Sequence, residues 1–372
     1  MKVLHIAYYH GKNDSRIVQK ECISLMKEGY EVFYATADCN EIETVPKGIQ
    51  YIPIKSRNKS LLVNYCINKD LKREYCKIIE QIEPEIVHIH EYGISYLVRL
   101  VKKQYKNIKV VYDVHEDNAY MNYEDDIERY GKCIAKILAF LRSYKEKQAC
   151  KFADIVVVAT PHIKELLEKV SHRIITIRNY PVISPVDISH NKKNQVCYVG
   201  GITAARGITD LVAISGRLKG DLRLAGPVNE DYIKLLLDRF QEGYRKNWFY
   251  EGVLSREKVN VLYAESKVGI CTLKNIQNHY YALPIKLFEY MAAGLPVVVS
   301  SFPLWKEIIE DAKCGFCVCE DDSEEIIGRI NYLLLHPSEA EKMGENGHRA
   351  VLEKYCWRIE EKKLLQVYAD LL

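Results

Sequence analysis

No run of apolar residues in this chain approaches the roughly 18 needed to cross a bilayer as a helix, so no membrane-spanning segment is expected. An excess of charge is also lacking: 53 Lys and Arg stand against 50 Asp and Glu, a net of +3, which leaves no electrostatic footprint for nucleic acid. Repeats and low-complexity tracts are missing. The start, Met1-Lys-Val-Leu-His-Ile-Ala, opens directly as a strand rather than as a signal peptide. The expectation is therefore a cytoplasmic protein, with any membrane contact made at the inner face. No G-x-G-x-x-G follows the first strand, which counts against a dinucleotide fold of the hydride-transfer kind. Cys314, Cys317 and Cys319 lack a second CxxC or a nearby His pair, so they do not form a zinc signature, and the twelve cysteines read as reduced and mostly buried.

What is present is an alternation of strand and helix signals. At 372 residues, with 48% apolar, the chain exceeds one ordinary core and calls for two α/β domains. Strands are predicted at Val3–Tyr8, Glu31–Thr36, Ile49–Ile54, Glu85–His90, Lys109–His115, Asp154–Thr160 and Arg173–Ile177. Asn179 to Pro185, with two prolines, reads as a linker. The pattern restarts at Gln195–Val199, Leu222–Ala225, Trp248–Tyr250, Val268–Thr272, Val297–Val299 and Phe316–Cys319. The predicted organisation is two doubly wound domains, residues 1–182 and 183–357, facing across a cleft, with 358–372 as a closing helix that could pack back on the first.

The most informative stretch runs from His279 to Ser300. Pro284 suits the first position of a helix that Gly294 and Pro296 end, before a strand begins at Val297. Lys286 and Glu289, three residues apart, share a face and should point to one place. A lysine in a first turn opposes the helix dipole unless an anion sits between them, which suggests a phosphate-bearing ligand; the alternative is a solvated lysine. Upstream, Gly200 and Gly201 end a strand and Arg206 precedes a helix, a composition suited to cradling a diphosphate or simply to a tight turn.

In the first half, Tyr112-Asp113-Val-His115-Glu116-Asp117 closes a strand and places His115 among carboxylates, where it could contact a sugar or move a proton, or merely be satisfied by a neighbour. The loop Tyr9 to Arg16 offers His10, Asp14 and Arg16 on the side where an acceptor would approach, with Asp14 or Ser15 as a helix cap. Lys55, Arg57 and Lys59 beside Leu61-Leu62-Val63 suit either an anionic membrane surface or a solvated loop, whereas Ile134, Ile137, Leu138 and Leu141 read as a core face.

With these motifs in hand, the chain resembles the family-4 retaining glycosyltransferases of the GT-B fold over essentially its whole length. The matching pieces are Gly29-Tyr-Glu-Val, Tyr112-Asp-Val-His-Glu, Gly200-Gly-Ile-Thr-Ala-Ala-Arg-Gly, Leu283-Pro-Ile-Lys-Leu-Phe-Glu-Tyr-Met-Ala-Ala-Gly-Leu-Pro-Val and Tyr355-Cys-Trp. The resemblance implies a nucleotide-sugar in the second domain, UDP-sugar favoured over GDP-sugar, a glycan or lipid-linked acceptor on the first, and no metal or cofactor. It places Glu289 on the ribose, His115 at the transferred sugar, and Arg206 and Lys286 with the Leu283 region on the diphosphate. Two positions depart from the family pattern: the first Glu of its E-x7-E motif is Tyr281, and an arginine usual after the first loop glycine is Gly201. His279, Tyr280 and Tyr281 are candidates to orient the sugar instead. A nucleotide-sugar epimerase and a non-catalytic nucleotide-sugar-binding subunit are the rival readings.

Overall fold

A computed structural model describes residues 1–37, 44–54, 69–120, 123–183, 192–241 and 247–371. The chain divides into two compact units, Met1–Asn179 together with Trp357–Leu372, and Tyr180–Cys356.

The first unit is a seven-stranded parallel sheet built from β1 (Lys2–Ile6), β2 (Glu31–Thr36), β3 (Gln50–Pro53), β4 (Ile86–His90), β5 (Lys109–Val114), β6 (Ile155–Val158) and β7 (Ile174–Thr176). Their spatial order is β3-β2-β1-β4-β5-β6-β7. Strands such as Ile-Val-Val-Val in β6 are apolar throughout because both faces are covered. Alternation still decides which residue goes where. Leu4 and Ile6 pack toward Tyr75, Ile78 and Ile79 of the helix Lys69–Ile82. Val3 faces the other way, into a cluster with Ile17, Leu25, Leu364 and Tyr368. The helix Trp357–Ala369 thus belongs to this unit, and Trp357 donates its indole N–H to Ser24 Oγ at 2.9 Å.

The second unit repeats the design with six parallel strands: β8 (Gln195–Val199), β9 (Asp221–Ala225), β10 (Trp248–Tyr250), β11 (Val268–Cys271), β12 (Val297–Ser300) and β13 (Gly315–Val318), ordered β10-β9-β8-β11-β12-β13. In both units the strand order reverses beside the first strand, between β1 and β4 and between β8 and β11. Chains leaving the carboxyl ends there part company and open a crevice for ligands.

Most deviations from the sequence reading are local. Thr160 caps the helix Pro161–Leu167, accepting from Ile163 N–H, instead of extending β6. Tyr180 is packed, not part of a free linker: its ring lies 4.7 Å from that of Phe288. One reading is overturned. Ile134, Ile137 and Leu141 are exposed, because the helix Lys132–Phe152 turns Ala135, Ala139, Arg142 and Glu146 inward instead. The basic and apolar stretch at 55–63 lies outside the described residues. The ten described cysteines are unpaired, and Cys314, Cys317 and Cys319 go from buried to exposed along and beyond β13. Among the described residues no helix is long and apolar enough to cross a membrane.

Candidate functional site

In the second unit, the chain leaving β8 makes its turn at Gly200, whose φ of +141° few side chains tolerate. Gly226, with φ +140° at the end of β9, allows the two backbones to touch: a Cβ on it would lie 2.0 Å from the Gly200 carbonyl oxygen. A single 3-10 turn, Ala204–Arg206, then carries Arg206 back over the loop. A Cβ on Gly200 would sit 2.6 Å from Lys286 Nζ and 3.4 Å from Arg206 Nη1, and one on Gly201 would sit 3.6 Å from Arg206 Cζ. Two cations therefore converge on one glycine-lined hollow.

Lys286 comes from the helix Ile285–Ala292, where Pro284 is the cap rather than the first helical residue. Leu287 N–H bonds the Pro284 carbonyl, so the amides of Ile285 and Lys286, next to Leu283, are not taken up by the helix. The lysine side chain is buried, its Nζ 3.8 Å from the centre of the Tyr198 ring and without a hydrogen-bond partner among the described residues. Burial pushes its pKa down to about 8, with the Arg206 cation adding to the push. A buried ammonium next to a second cation is a standing invitation to an anion.

Glu289 lies on the same helix but does not pair with Lys286. Its carboxylate accepts from Arg256 Nη1 at 2.5 Å and from Tyr263 Oη at 3.1 Å. Of the residues considered as sugar-orienting groups, His279 has Nδ1 3.1 Å from the Lys274 carbonyl, Tyr280 packs edge-on to Tyr281, and Tyr281 is partly exposed. Sequence reasoning missed Gly226, Arg256 and Tyr263. Ala225-Gly-Pro at a strand end was a visible signal for the first; nothing in the spacing singled out the other two.

The first unit gathers a second cluster at the carboxyl ends of β1, β4 and β5. His115 Nε2 is 2.9 Å from Asp113 Oδ2 and 3.4 Å from His90 Nδ1. Asp113 is buried and held in turn by Arg16, whose Nε and Nη2 donate to its two oxygens at 2.9 and 3.0 Å. Burial opposes charge on Asp113, but the guanidinium overrides it and keeps the carboxyl well below its usual range. Arg16 also donates to the Ile177 carbonyl and lies 3.1 Å from Glu21 Oε1, so it is a buried brace and not a group free to greet an acceptor. Asp14 caps the following turn, accepting from the Arg16 and Ile17 N–H groups at 2.8 Å, and its other oxygen meets His10 Nδ1 at 2.8 Å. Burial disfavours a charged His10, yet its hydrogen bond to Asp14 and the nearby Glu91 leave its pKa raised. Glu91 itself adopts φ +74°, a strained conformation for a non-glycine residue, and its Oε1 accepts from the N–H groups of Tyr8, Tyr9 and His10.

Among the described residues, two sets of side chains have the composition to hold a metal ion: His5, Glu21, His88 and His90, and His90, Asp113 and His115. In both, hydrogen bonds already occupy several donors, including His5 Nδ1 to His90 Nε2 at 3.0 Å and His88 Nδ1 to Tyr368 Oη at 2.8 Å.

Comparison with known proteins accounts for this arrangement. Residues 183–350 match the family model of glycosyl transferases group 1, and residues 15–180 match that of glycosyltransferase family 4. An uncharacterized glycosyltransferase of Methanocaldococcus jannaschii is 29% identical over 181 residues, 47% of this chain and 45% of that protein. The chain spans about half the length of the curated relatives it matches. Among solved structures, a sucrose-phosphate synthase from Thermosynechococcus elongatus has the same fold at a TM-score of 0.79, with 17% identity over 100% of this chain and 99% of its own. Anabaena HepE, solved with UDP-glucose, gives 0.72, with 13% identity and both chains covered completely. Two Rossmann-like sheets, each matched along most of its length by a glycosyltransferase model, mean that this chain belongs to the family-4 glycosyltransferases of the GT-B fold.

Proposed function

We propose that the protein transfers a sugar, with retention of configuration, from a nucleoside diphosphate to a glycan or lipid-linked acceptor. The observation that carries this reading is Lys286: a buried ammonium with no hydrogen-bond partner among the described residues, aimed with Arg206 at the hollow over Gly200 and Gly201. A diphosphate there would satisfy Lys286, Arg206 and the amides of Ile285 and Lys286 together, with no metal needed to offset its charge. Glu289 would exchange its bonds to Arg256 and Tyr263 for ribose hydroxyls. The transferred group would be a hexose, and UDP-sugars are favoured over GDP-sugars because a structural relative was solved with UDP-glucose.

An acceptor hydroxyl attacks the anomeric carbon while the bond to the diphosphate breaks. Negative charge grows on the departing phosphate oxygen, where the two cations stabilise it more than they stabilise the ground state. His115, oriented by Asp113, supplies a hydrogen-bonding group for the transferred sugar, and His10 with Asp14 lies on the acceptor side. The biological setting we favour is surface-polysaccharide assembly at the cytoplasmic face of the membrane.

Titration with UDP- and GDP-sugars, followed by product analysis with oligosaccharide and lipid-linked acceptors, tests the reading. Turnover with retained configuration supports it; failure to bind any nucleotide-sugar overturns it. Tyr281, in place of the family's first motif glutamate, favours one alternative, a nucleotide-sugar-binding subunit without catalysis. Binding without turnover would point there.

A further inference from the structure

Four ionisable side chains meet in the core of the first unit, on the face of the sheet away from the helix Lys69–Ile82. His88 and His90, two apart on β4, point to the same side, and His5 on the adjoining β1 lies level with His88. The rings are gathered: the centre of His88 is 4.3 Å from that of His90 and 4.7 Å from that of His5. Glu21 reaches them from the helical turn Ile17–Cys22, and all four residues are fully buried. On the same face, Val3 and Ile86 fill equivalent places with apolar side chains. Burying four polar groups where valine would serve is costly unless they share a partner.

Their hydrogen bonds do not supply one. Among the described residues, neither oxygen of Glu21 has a hydrogen-bond partner, and neither does His88 Nε2. Glu21 Oε2 is 3.9 Å from both His88 Nδ1 and His90 Nε2, too far to bond either directly. Arg16 Nε lies 3.1 Å from the other oxygen, Oε1, but Nε and Nη2 donate to the two oxygens of Asp113, so the Glu21 charge lacks a full counterion. His5 Nδ1 is 3.0 Å from His90 Nε2, and one donor atom from each of the four residues lies within 4.8 Å of all the others.

We propose that these donors, His5 Nδ1, His88 Nδ1, His90 Nε2 and Glu21 Oε2, bind one zinc ion. In a tetrahedral zinc site with bonds of about 2.0–2.1 Å the donors are roughly 3.3 Å apart, and separations of 3.0 and 3.9 Å fall on either side of that. Three imidazoles and a carboxylate, fully buried, make a closed set of the structural kind. The opposite ring nitrogens have partners: His90 Nδ1 is 3.4 Å from the Asp113 carboxylate, the arrangement that commonly orients a metal-bound imidazole. Tyr368 Oη, now 2.8 Å from His88 Nδ1, has His5 Nε2 at 3.4 Å as its alternative partner. The ion would join β1, β4 and the turn Ile17–Cys22 behind Asp113 and His115. It plays no part in holding the diphosphate, which we assign to the second unit.

The test is metal analysis of the full chain, made without a histidine tag in zinc-supplemented medium and passed through gel filtration. Elemental mass spectrometry should find about one zinc per chain. Glu21→Gln and His88→Gln should each lower that content by about tenfold or more, with circular dichroism checking the fold, while His115→Ala, beside the cluster but not a ligand, should keep it. Should those variants not fold, X-ray absorption at the zinc edge of the unaltered protein decides, with nitrogen and oxygen neighbours at about 2.0–2.1 Å expected. Less than about a tenth of a zinc per chain overturns the proposal and leaves a protonated Glu21 in its place. Zinc that survives both ligand variants, zinc lost only with His115→Ala, or sulfur among its neighbours also overturns it. No nucleotide is present, so this proposal and the transferase reading fail separately.

Discussion

The ammonium of Lys286 rests over the ring of Tyr198 and above the backbone of Gly200, held there by burial rather than by any hydrogen bond. This is an expensive position for a charge and an effective one for binding an anion. Its consequences reach stability as well as ligand affinity.

Lys286 has a folded-state pKa of about 8 against an ordinary value of 10.5. Below pH 8 both folded and unfolded states hold the proton and the folded protein bears the full penalty, about 3 kcal/mol. Between pH 8 and 10.5 the unfolded state binds more protons, so this group's contribution to stability rises with pH across that window. Lys286→Met should therefore raise the melting temperature of the ligand-free protein at pH 7 while weakening UDP binding by about tenfold or more. Calorimetry of both variants checks the pair of outcomes; a melting temperature that falls removes the buried-charge account.

Gly200→Ala places a methyl group 2.6 Å from Lys286 Nζ, too close for both to stay, on a backbone with φ +141°. Loss of about 1–3 kcal/mol of stability and of most nucleotide affinity is expected, from chemical denaturation and UDP titration. Gly201→Ala, which meets only ordinary contacts at 3.6 Å and beyond, should be the milder change.

Arg16→Met should cost about 3–5 kcal/mol, because it strands the buried Asp113 without its cation; Glu21, whose pKa burial and Asp113 raise, adds less. Urea denaturation at pH 7 measures this. A loss below about 1 kcal/mol would mean that the carboxylates are already protonated in the fold.

On the proposed reading, Glu289→Gln weakens UDP binding by about ten- to a hundredfold, since the charge-assisted hydrogen bonds proposed to the ribose hydroxyls become neutral ones. Inorganic pyrophosphate has no ribose, so its binding should stay unchanged. Equal losses for both ligands would assign Glu289 to the phosphates or to the fold.

His115→Ala should lower kcat by about a hundredfold or more with little effect on UDP affinity, because His115 belongs to the first unit and the hollow over Gly200, where we propose the diphosphate binds, to the second. Steady-state kinetics beside UDP titration separates the two effects.

Much of this was written in the residue pattern. Runs of β-branched and other apolar residues bounded by turn signals marked the thirteen described strands, and errors fell at their ends, where Thr160 serves the next helix as a cap. The convergence of Arg206 and Lys286 was foreseeable because glycines and a helix start leave few other places for such cations. Other features were not legible. Arg256 and Tyr263 reach Glu289 from another helix, a relationship that one sequence cannot express. Arg16 looked like a loop residue available to ligand, and only its partner Asp113, 97 residues away, reveals the brace. The helix Lys132–Phe152 misled for a different reason. Its apolar periodicity is real, but periodicity says that a face is apolar and not what covers it.

The return of Trp357–Ala369 to the first unit has an effect on how the protein is made. Residues 180–356 are an insertion within that unit, so during synthesis they emerge and can fold while the first sheet still waits for Leu364, Val367 and Tyr368 to seal one of its faces. The half carrying His115 is then the last to mature, and a ribosome that stalls before residue 357 releases a finished second unit attached to an unfinished first one.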